Sequence, residues 1–184
     1  MNEVLIVSAT RSEAAYVPSR LPLLICGIGK VSAAIAMTQT LANHANTTGL
    51  TVLNVGTAGA LRPATAGLFV PSVVHQHDIS SAALRSMGYP VIDRYDLPGG
   101  DGSEVATGDT FVADPAHRDV LAARAGLVDM EAFAIAQACR HFGVACRLVK
   151  VISDDADEGA MDWPARVDTA ARLIGEWLER NVPA

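Results

Sequence analysis

Two short stretches decide the fold predicted for this chain. The first is VDMEAFAIA, residues 128–136, and the second is VISDDAD, residues 151–157. In each, an apolar run gives way to acidic residues, as happens where a buried strand ends. Ligands bind at the carboxyl ends of the strands in parallel α/β sheets, so we expect both stretches to bring carboxylates to one edge of a sheet. Carboxylates at such an edge, in an apolar and glycine-rich chain, indicate acid/base chemistry on a sugar or a nucleoside.

Strand and helix patterns alternate along the rest of the chain. Strands are predicted over residues 4–8, 21–26, 51–55, 67–75, 104–108, 126–130 and 146–152, and helices over 30–45, 115–125, 131–142 and 164–181. The intervening residues 80–104 contain Gly-Gly and Pro-Gly pairs and are predicted to form a long loop with at most a helical turn. This alternation predicts an α/β fold, a single domain over residues 1–184 with three α/β/α layers and a central mixed, largely parallel sheet.

The composition restricts the class of function. Of the 184 residues, 50% are hydrophobic and 18% are charged, so the chain can bury a sheet on both faces. A net charge of −6 without a stripe of Lys and Arg argues against a nucleic-acid partner. Three cysteines without metal-type spacing are typical of buried thiols in a cytoplasmic protein. We find neither a signal core nor an apolar run of membrane-spanning length, so no membrane partner is expected.

Two glycine-rich segments follow predicted strands. Residues 27–31 (GIGKV) join a strand to a helix, where glycines let backbone amides approach an anion or a ribose. An ordinary tight turn is the alternative, and Val31 and Ser32 exclude a Walker loop and a dinucleotide fingerprint. Residues 56–60 (GTAGA) end the next strand, either as a second turn or as a backbone surface against which a flat ligand lies.

Metal sites are weakly indicated. His75 and His77 form an H-x-H pattern, but the other histidines fall in predicted helices without a motif, so a structural His-Asp pair is the preferred interpretation. The acidic segment 153–159 lacks the glycine and glutamate spacing of a calcium loop and is otherwise expected to be a solvated loop. We therefore expect neither a metal nor a cofactor.

The order of these pieces resembles the nucleoside phosphorylase and nucleosidase superfamily. Within it, the resemblance is to the hydrolytic branch that contains 5′-methylthioadenosine/S-adenosylhomocysteine nucleosidase and futalosine hydrolase. The matching motifs, in chain order, are Glu13 after the first strand, GIGKV, GTAG, His77-Asp78, TGDTF at 107–111, Asp129-Met130-Glu131 and Ile152-Ser153-Asp154.

The resemblance implies a role for each matched residue. Asp154 corresponds to the acid that protonates the purine N7, Ser153 to its orienting partner, and Glu13 to the base that activates water. Substrate-binding positions are implied for Glu131 and Met130 beside the ribose, Phe111 and Val112 at the base, and Thr57, Ala58 and Gly59 beside the ribose and the water. Met87 and Pro98 align loosely with residues that a dimer partner lends to the 5′ pocket.

The implied activity is hydrolysis of the N-glycosidic bond of a purine nucleoside, such as methylthioadenosine or S-adenosylhomocysteine, with release of the free base. A phosphate-dependent phosphorylase and a non-catalytic nucleoside-binding protein are the alternatives. A homodimer is expected, since residues 80–104 carry apolar side chains without an obvious intrachain cover. Three departures from the family pattern concern the substrate: Lys150 in place of Arg, Phe133 in place of a small residue, and the acidic Asp155.

Overall fold

A single mixed sheet of nine strands organises the computed structural model, which describes residues 3–63, 65–156 and 163–182. The strands are β1 (Glu3–Ser8), β2 (Leu23–Ile25), β3 (Leu50–Ala60), β4 (Leu68–Phe69), β5 (Val73–Gln76), β6 (Arg94–Asp96), β7 (Glu104–Thr107), β8 (Leu127–Asp129) and β9 (Ala145–Asp154). The helices are α1 (Lys30–Ala42), α2 (Ser81–Ser86), α3 (Pro115–Ala122), α4 (Ala132–Phe142) and α5 (Trp163–Asn181).

The strand order places β3 at the centre of the sheet. The order is β2-β1-β3-β8-β7-β5-β6, and β9 pairs with β3 and β4. Strand β3 runs parallel to β1 and β9, and it meets β8 in antiparallel fashion only at Gly59 and Ala60. The register between β3 and β9 shifts between Ala58 and Gly59. Such an irregularity bends a strand and lets it change partners, which brings the ends of β8 and β9 to the same edge.

Helices cover both faces of this sheet. In β1, Leu5 and Val7 belong to the core on the side of α1 and α4, while the intervening Ile6 belongs to the core under α5. This is the alternation that a pleated strand buried on both faces requires. The predicted α/β fold with three layers and a largely parallel sheet is therefore confirmed.

Several predicted boundaries were wrong. Strand β3 continues through the GTAGA segment to Ala60, because it keeps pairing with β9 as far as Asp154. The single strand predicted over 67–75 is two strands, since β4 pairs with β9 whereas β5 pairs with β6 and β7. The loop predicted over 80–104 contains its helical turn as α2, but it also contains the strand β6, which was not predicted.

Two other expectations concern the cysteines and the acidic segment. All three cysteines are free and buried, as predicted. Asp155 is exposed, and residues 157–159 of the acidic segment lie outside the described residues. Among the helices described, none is long and apolar enough to cross a membrane.

Candidate active site

A cavity of about 320 Å³ opens where β1, β3, β8 and β9 end. Its volume lies at the lower end of the range typical of small-molecule sites. All ten residues predicted for the chemistry and for substrate binding line it: Glu13, Thr57, Ala58, Gly59, Phe111, Val112, Met130, Glu131, Ser153 and Asp154. Sequence reasoning missed six further lining residues: Ala9, Thr10, Ile28, Thr110, Val128 and Asp129.

Glu13 lies on the turn that follows β1, and its carboxylate is held from two sides. Oε2 accepts hydrogen bonds from the backbone N of Thr10 at 3.1 Å and from its hydroxyl at 2.8 Å. Oε1 accepts from the backbone N and the hydroxyl of Thr57, both at 2.8 Å. The Thr10 hydroxyl also accepts from the Glu13 N at 3.2 Å, which completes a capping box. The segment continues as turns rather than as a helix.

The GTAGA segment gives the carboxylates room to approach the backbone. A Cβ atom on Gly56 would lie 3.0 Å from Oε1 of Glu13 and 3.7 Å from Nζ of Lys150. A Cβ atom on Gly59 would lie 3.0 Å from Oδ1 of Asp154. These two glycines are therefore needed for the packing of acidic side chains on β3, not for a turn.

Asp154 is buried at the end of β9 with both carboxylate oxygens bonded. The Ser153 hydroxyl donates to Oδ2 at 2.7 Å, and the backbone N of Ala156 donates to Oδ1 at 2.9 Å. The side chain therefore lies at the cavity wall in one fixed orientation.

Glu131 lies just after the end of β8, directly precedes α4, and faces the cavity. Its Oε1 accepts a hydrogen bond from the backbone N of Gly29 at 2.7 Å, so the GIGKV segment reaches the site through an amide. Burial, and then the negative charge of Asp129, raise the pKa of Glu131 to about 7, against the opposing effects of Lys150 and the Gly29 bond. Glu131 thus titrates near neutral pH.

A buried ion pair lies behind these carboxylates. Nζ of Lys150 is 2.7 Å from Oδ2 of Asp129, and both side chains are almost fully enclosed. Burial alone would lower the pKa of Lys150, but the charges of Asp129 and Glu131 raise it overall. Asp129 also accepts from the Thr107 hydroxyl at 2.6 Å and from the backbone N of Ala132 at 3.0 Å. Lys150 therefore supplies positive charge to a cluster of carboxylates.

The remaining predicted residues differ in where they lie. Phe111 is 47% exposed at the mouth of the cavity, and Val112 beside it is buried. Met87 and Pro98 are exposed and do not line the cavity, so their predicted role would require a partner subunit. Phe133 lies in the core, where its ring is 5.1 Å from that of Tyr95, rather than in the site.

The H-x-H segment makes structural contacts. Nε2 of His75 lies 2.7 Å from Glu104, and the ring of His77 packs edge-on against that of His117. Asp78, which was expected to pair with a histidine, instead forms an ion pair with Lys30. Within the described residues, no group of three His, Cys, Asp or Glu side chains is placed to hold a metal ion.

Comparison with known proteins agrees with the geometry. The sequence profile of the phosphorylase superfamily matches residues 104–181. The 5′-methylthioadenosine/S-adenosylhomocysteine nucleosidase of Geobacillus kaustophilus is 31% identical over 180 residues, which cover 84% of this chain and 75% of that protein. The chain belongs to the phosphorylase superfamily.

Other members of the phosphorylase superfamily extend this similarity. The aminodeoxyfutalosine nucleosidase of Helicobacter pylori is 35% identical over 81 residues, 42% of this chain and 35% of that protein. A crystal structure of a Helicobacter pylori 5′-methylthioadenosine/S-adenosylhomocysteine nucleosidase mutant, with 5′-methylthioadenosine in its active site, superposes with a TM-score of 0.84. That superposition covers 98% of this chain and 97% of the other at 22% identity, which establishes a shared fold.

Proposed function

We propose that this chain is a purine nucleoside hydrolase that cleaves the N-glycosidic bond and releases the free base. One observation carries the proposal: Glu13, Glu131 and Asp154 line a single cavity large enough for a small molecule. The relatives named above are nucleosidases, which supports the same reaction. Breaking this bond places positive charge on the ribose and negative charge on the base, so a carboxylic acid and a carboxylate base are both useful.

Asp154 is the proposed acid, and its contacts indicate which oxygen carries the proton. Oδ1 accepts from the backbone N of Ala156, which can only donate, so this oxygen is occupied as an acceptor. Oδ2 lies beside the Ser153 hydroxyl, which can rotate and accept as well as donate. A proton on Oδ2 is therefore compatible with both contacts, and from there it would pass to N7 of the purine.

Glu13 is the proposed base that activates water. The backbone amides of Thr10 and Thr57 fix its two oxygens, one each. The hydroxyls of the same two residues also donate to it, and these bonds can yield to a water because hydroxyls rotate. The group is thus rigidly placed yet able to accept a proton from an entering water.

The other lining residues would bind the nucleoside. Glu131 is suited to accept from the 2′- and 3′-hydroxyls of the ribose, beside Met130. The exposed face of Phe111 can stack on the purine, and the backbone of Val112 can meet the purine edge. The last segment of β3, Thr57, Ala58 and Gly59, would flank the ribose and the water.

Water rather than phosphate is the proposed nucleophile. Glu13 faces the cavity from a buried position, and Arg11, the cation nearest to it in sequence, is exposed. A buried carboxylate at the nucleophile position would repel a phosphate dianion, since like charges interact strongly where water is excluded. The same carboxylate would attract and orient a water molecule.

The proposed substrates are 5′-methylthioadenosine and S-adenosylhomocysteine, and the proposed assembly is a homodimer. Met87, Tyr89 and Ile92 are each more than 60% exposed, a concentration of apolar surface that is typical of an interface. In such a dimer, Met87 and Pro98 would close the 5′ side of the partner's cavity. The single domain over residues 1–184 and the cytoplasmic location stay predictions.

Base release from a panel of nucleosides tests the proposal. The purified chain is incubated with methylthioadenosine, S-adenosylhomocysteine, adenosine and inosine, and free base is quantified by chromatography. We expect adenine from the 5′-thio nucleosides, and release at least about 100-fold slower from a folded Asp154→Asn variant. Binding of these nucleosides without base release by the native chain would instead establish a binding protein.

A further inference from the structure

A charged cluster lies beside the cavity but does not line it. Lys30 is the first residue of α1, and its Nζ forms an ion pair with Asp78 and lies 3.7 Å from Oδ2 of Asp109. Asp78 also accepts a hydrogen bond from the backbone N of Asp109 at 2.9 Å. We call Lys30, Asp78 and Asp109 the Lys30 cluster. None of the nucleosidase roles described above uses these three side chains.

Two consecutive amides connect this cluster to the site. The backbone N of Gly29 donates to Oε1 of Glu131 at 2.7 Å, and the backbone N of Lys30 donates to Oδ1 of Asp109 at 2.8 Å. Glu131 is the proposed ribose carboxylate, and Asp109 begins the segment that carries Phe111. The start of α1 therefore binds the sugar side and the base side of the cavity through neighbouring groups.

The base side depends on these contacts because it has little regular structure of its own. Residues 108–114 belong to neither a helix nor a strand. The backbone N of Gly108 donates to the carbonyl of Asp129 at 3.1 Å, which anchors the start of the segment. Beyond it, Asp109 is held by the Lys30 cluster, and Phe111 is 47% exposed. Val112, one residue further on, is buried in a hydrophobic cluster with Leu61 and Leu121, so the Lys30 cluster holds the start of the segment and Val112 holds its end.

The charges of the cluster are complementary. Burial alone would raise the pKa of Asp78, but hydrogen bonds from Lys30 and from the Asp109 amide, with the Lys30 charge, lower it overall. Asp78 is thus an anion that receives both the Lys30 ammonium and the amide of the base segment. Charge-assisted hydrogen bonds of this kind are stronger than neutral ones.

We propose that the Lys30 cluster is a positioning device that sets residues 109–112 against the ribose carboxylate Glu131 and so determines affinity for the purine base. The inference rests on the proposed nucleosidase function, because it assigns the base to Phe111 and the ribose to Glu131. It predicts that loss of the cluster weakens base binding while leaving the chemical step and sugar binding largely unchanged. A residue that merely supports the fold would affect all three.

The test compares Lys30→Met with a matched ion-pair variant elsewhere. Arg20 forms an ion pair of 2.7 Å with Glu179, and neither residue lines the cavity, so Arg20→Met removes a cation without touching the site. Calorimetry gives the dissociation constant of free adenine, product inhibition gives that of the free sugar, and steady-state kinetics separate KM from kcat. Losing charged hydrogen bonds worth about 1.5 kcal/mol corresponds to about a tenfold change.

For Lys30→Met we expect the dissociation constant of adenine and the KM of the nucleoside each to rise about tenfold. The inhibition constant of the sugar and kcat should stay within about threefold of the native values. Arg20→Met should bind adenine as the native chain does. Asp109→Asn, which keeps an oxygen for the Lys30 amide, should fall between Asp109→Ala and the native chain. If Lys30→Met does not fold, this order of adenine affinities among the Asp109 variants tests the proposal in its place.

Three results would overturn the proposal. Native adenine affinity in folded Lys30→Met would remove any role for the cluster, and so would native adenine affinity in both Asp109→Asn and Asp109→Ala. A parallel loss of sugar binding and kcat would make the cluster a general structural element. Failure of the native chain to bind adenine or to release it from a nucleoside is a separate outcome, which would overturn the proposed function itself.

Discussion

Replacing Lys150 with Met tests the electrostatics of the site most sharply. Lys150 is 1% exposed, and its Nζ lies 2.7 Å from Oδ2 of Asp129, whose side chain is equally enclosed. Methionine has a similar volume and no charge. The substitution therefore leaves the Asp129 carboxylate buried with its hydrogen bonds from Thr107 and Ala132 but without a cation.

The burial of the pair sets the size of the effect. An exposed ion pair contributes only about 0–1 kcal/mol, but removing one partner of a buried pair costs about 3–5 kcal/mol, because an uncompensated charge stays inside. For a chain of this size each kcal/mol corresponds to about 2–4 °C in Tm, so we expect Tm to fall by about 6–20 °C. The Lys150 charge also lowers the pKa of Glu131, so in the variant this pKa should rise above its present value of about 7.

The assay is thermal unfolding at neutral pH, together with KM as a function of pH. The matched control is the double variant Lys150→Met/Asp129→Asn, which removes both charges and should lose less stability than the two single variants added together. A loss of even 1 kcal/mol lowers Tm by about 2–4 °C in a chain of this size. A Tm within about 2 °C of the native value would therefore refute the argument. So would an unchanged pH dependence of KM in a folded Lys150→Met variant.

Four further predictions concern the carboxylates and the backbone beside them. Asp154→Asn should lower kcat about 100- to 10,000-fold with the fold intact, because an amide cannot deliver a proton, and near-native turnover would place the acid elsewhere. KM should fall as pH rises through about 7, since only ionised Glu131 is a full acceptor for ribose hydroxyls, and Glu131→Gln should abolish this dependence. Because the pKa of Glu131 is raised on folding, the folded state binds its proton more tightly than the unfolded state does. The stability that protonated Glu131 contributes should therefore be lost as pH rises from about 4.5 through 7. A rise in Tm across that window would contradict this prediction. Gly56→Ala should lower kcat, because its Cβ would lie 3.0 Å from Oε1 of Glu13. A Cβ on Gly126 would have no atom within 4 Å, so Gly126→Ala should leave kcat unchanged. Equal effects on kcat would contradict this interpretation.

The order of elements was predictable because each leaves a local signal. The apolar runs 4–8 and 146–152 have the composition of strands buried on both faces, and β1 and β9 are found there. The acidic residues were predictable as strand ends, but Glu131 and Asp154 meet because the end of β3 pairs with both β8, in antiparallel fashion, and β9, in parallel fashion. The family resemblance then identified Glu13, whose local sequence indicates only a capped helix start.

What could not be predicted depends on pairing between distant segments. The extension of β3 to Ala60 follows from its register with β9, which no local pattern encodes. The Lys150–Asp129 ion pair joins residues of β9 and β8, and no local pattern indicates that Asp129 faces a cation. The T-x-x-E spacing of Thr10 and Glu13 is a local capping signal, but nothing local places Thr10 at the cavity wall.

The nucleophile is the most direct test of the central claim. The native chain is incubated with 5′-methylthioadenosine in phosphate-free buffer and then with added phosphate, and the sugar product is identified by mass spectrometry. We predict that adenine and free 5-methylthioribose form at the same rate in both buffers, because Glu13 activates a water molecule at the position that a phosphate would occupy. Strict dependence on phosphate, with a sugar 1-phosphate as the product, would contradict the account and assign the chain to the phosphorylases.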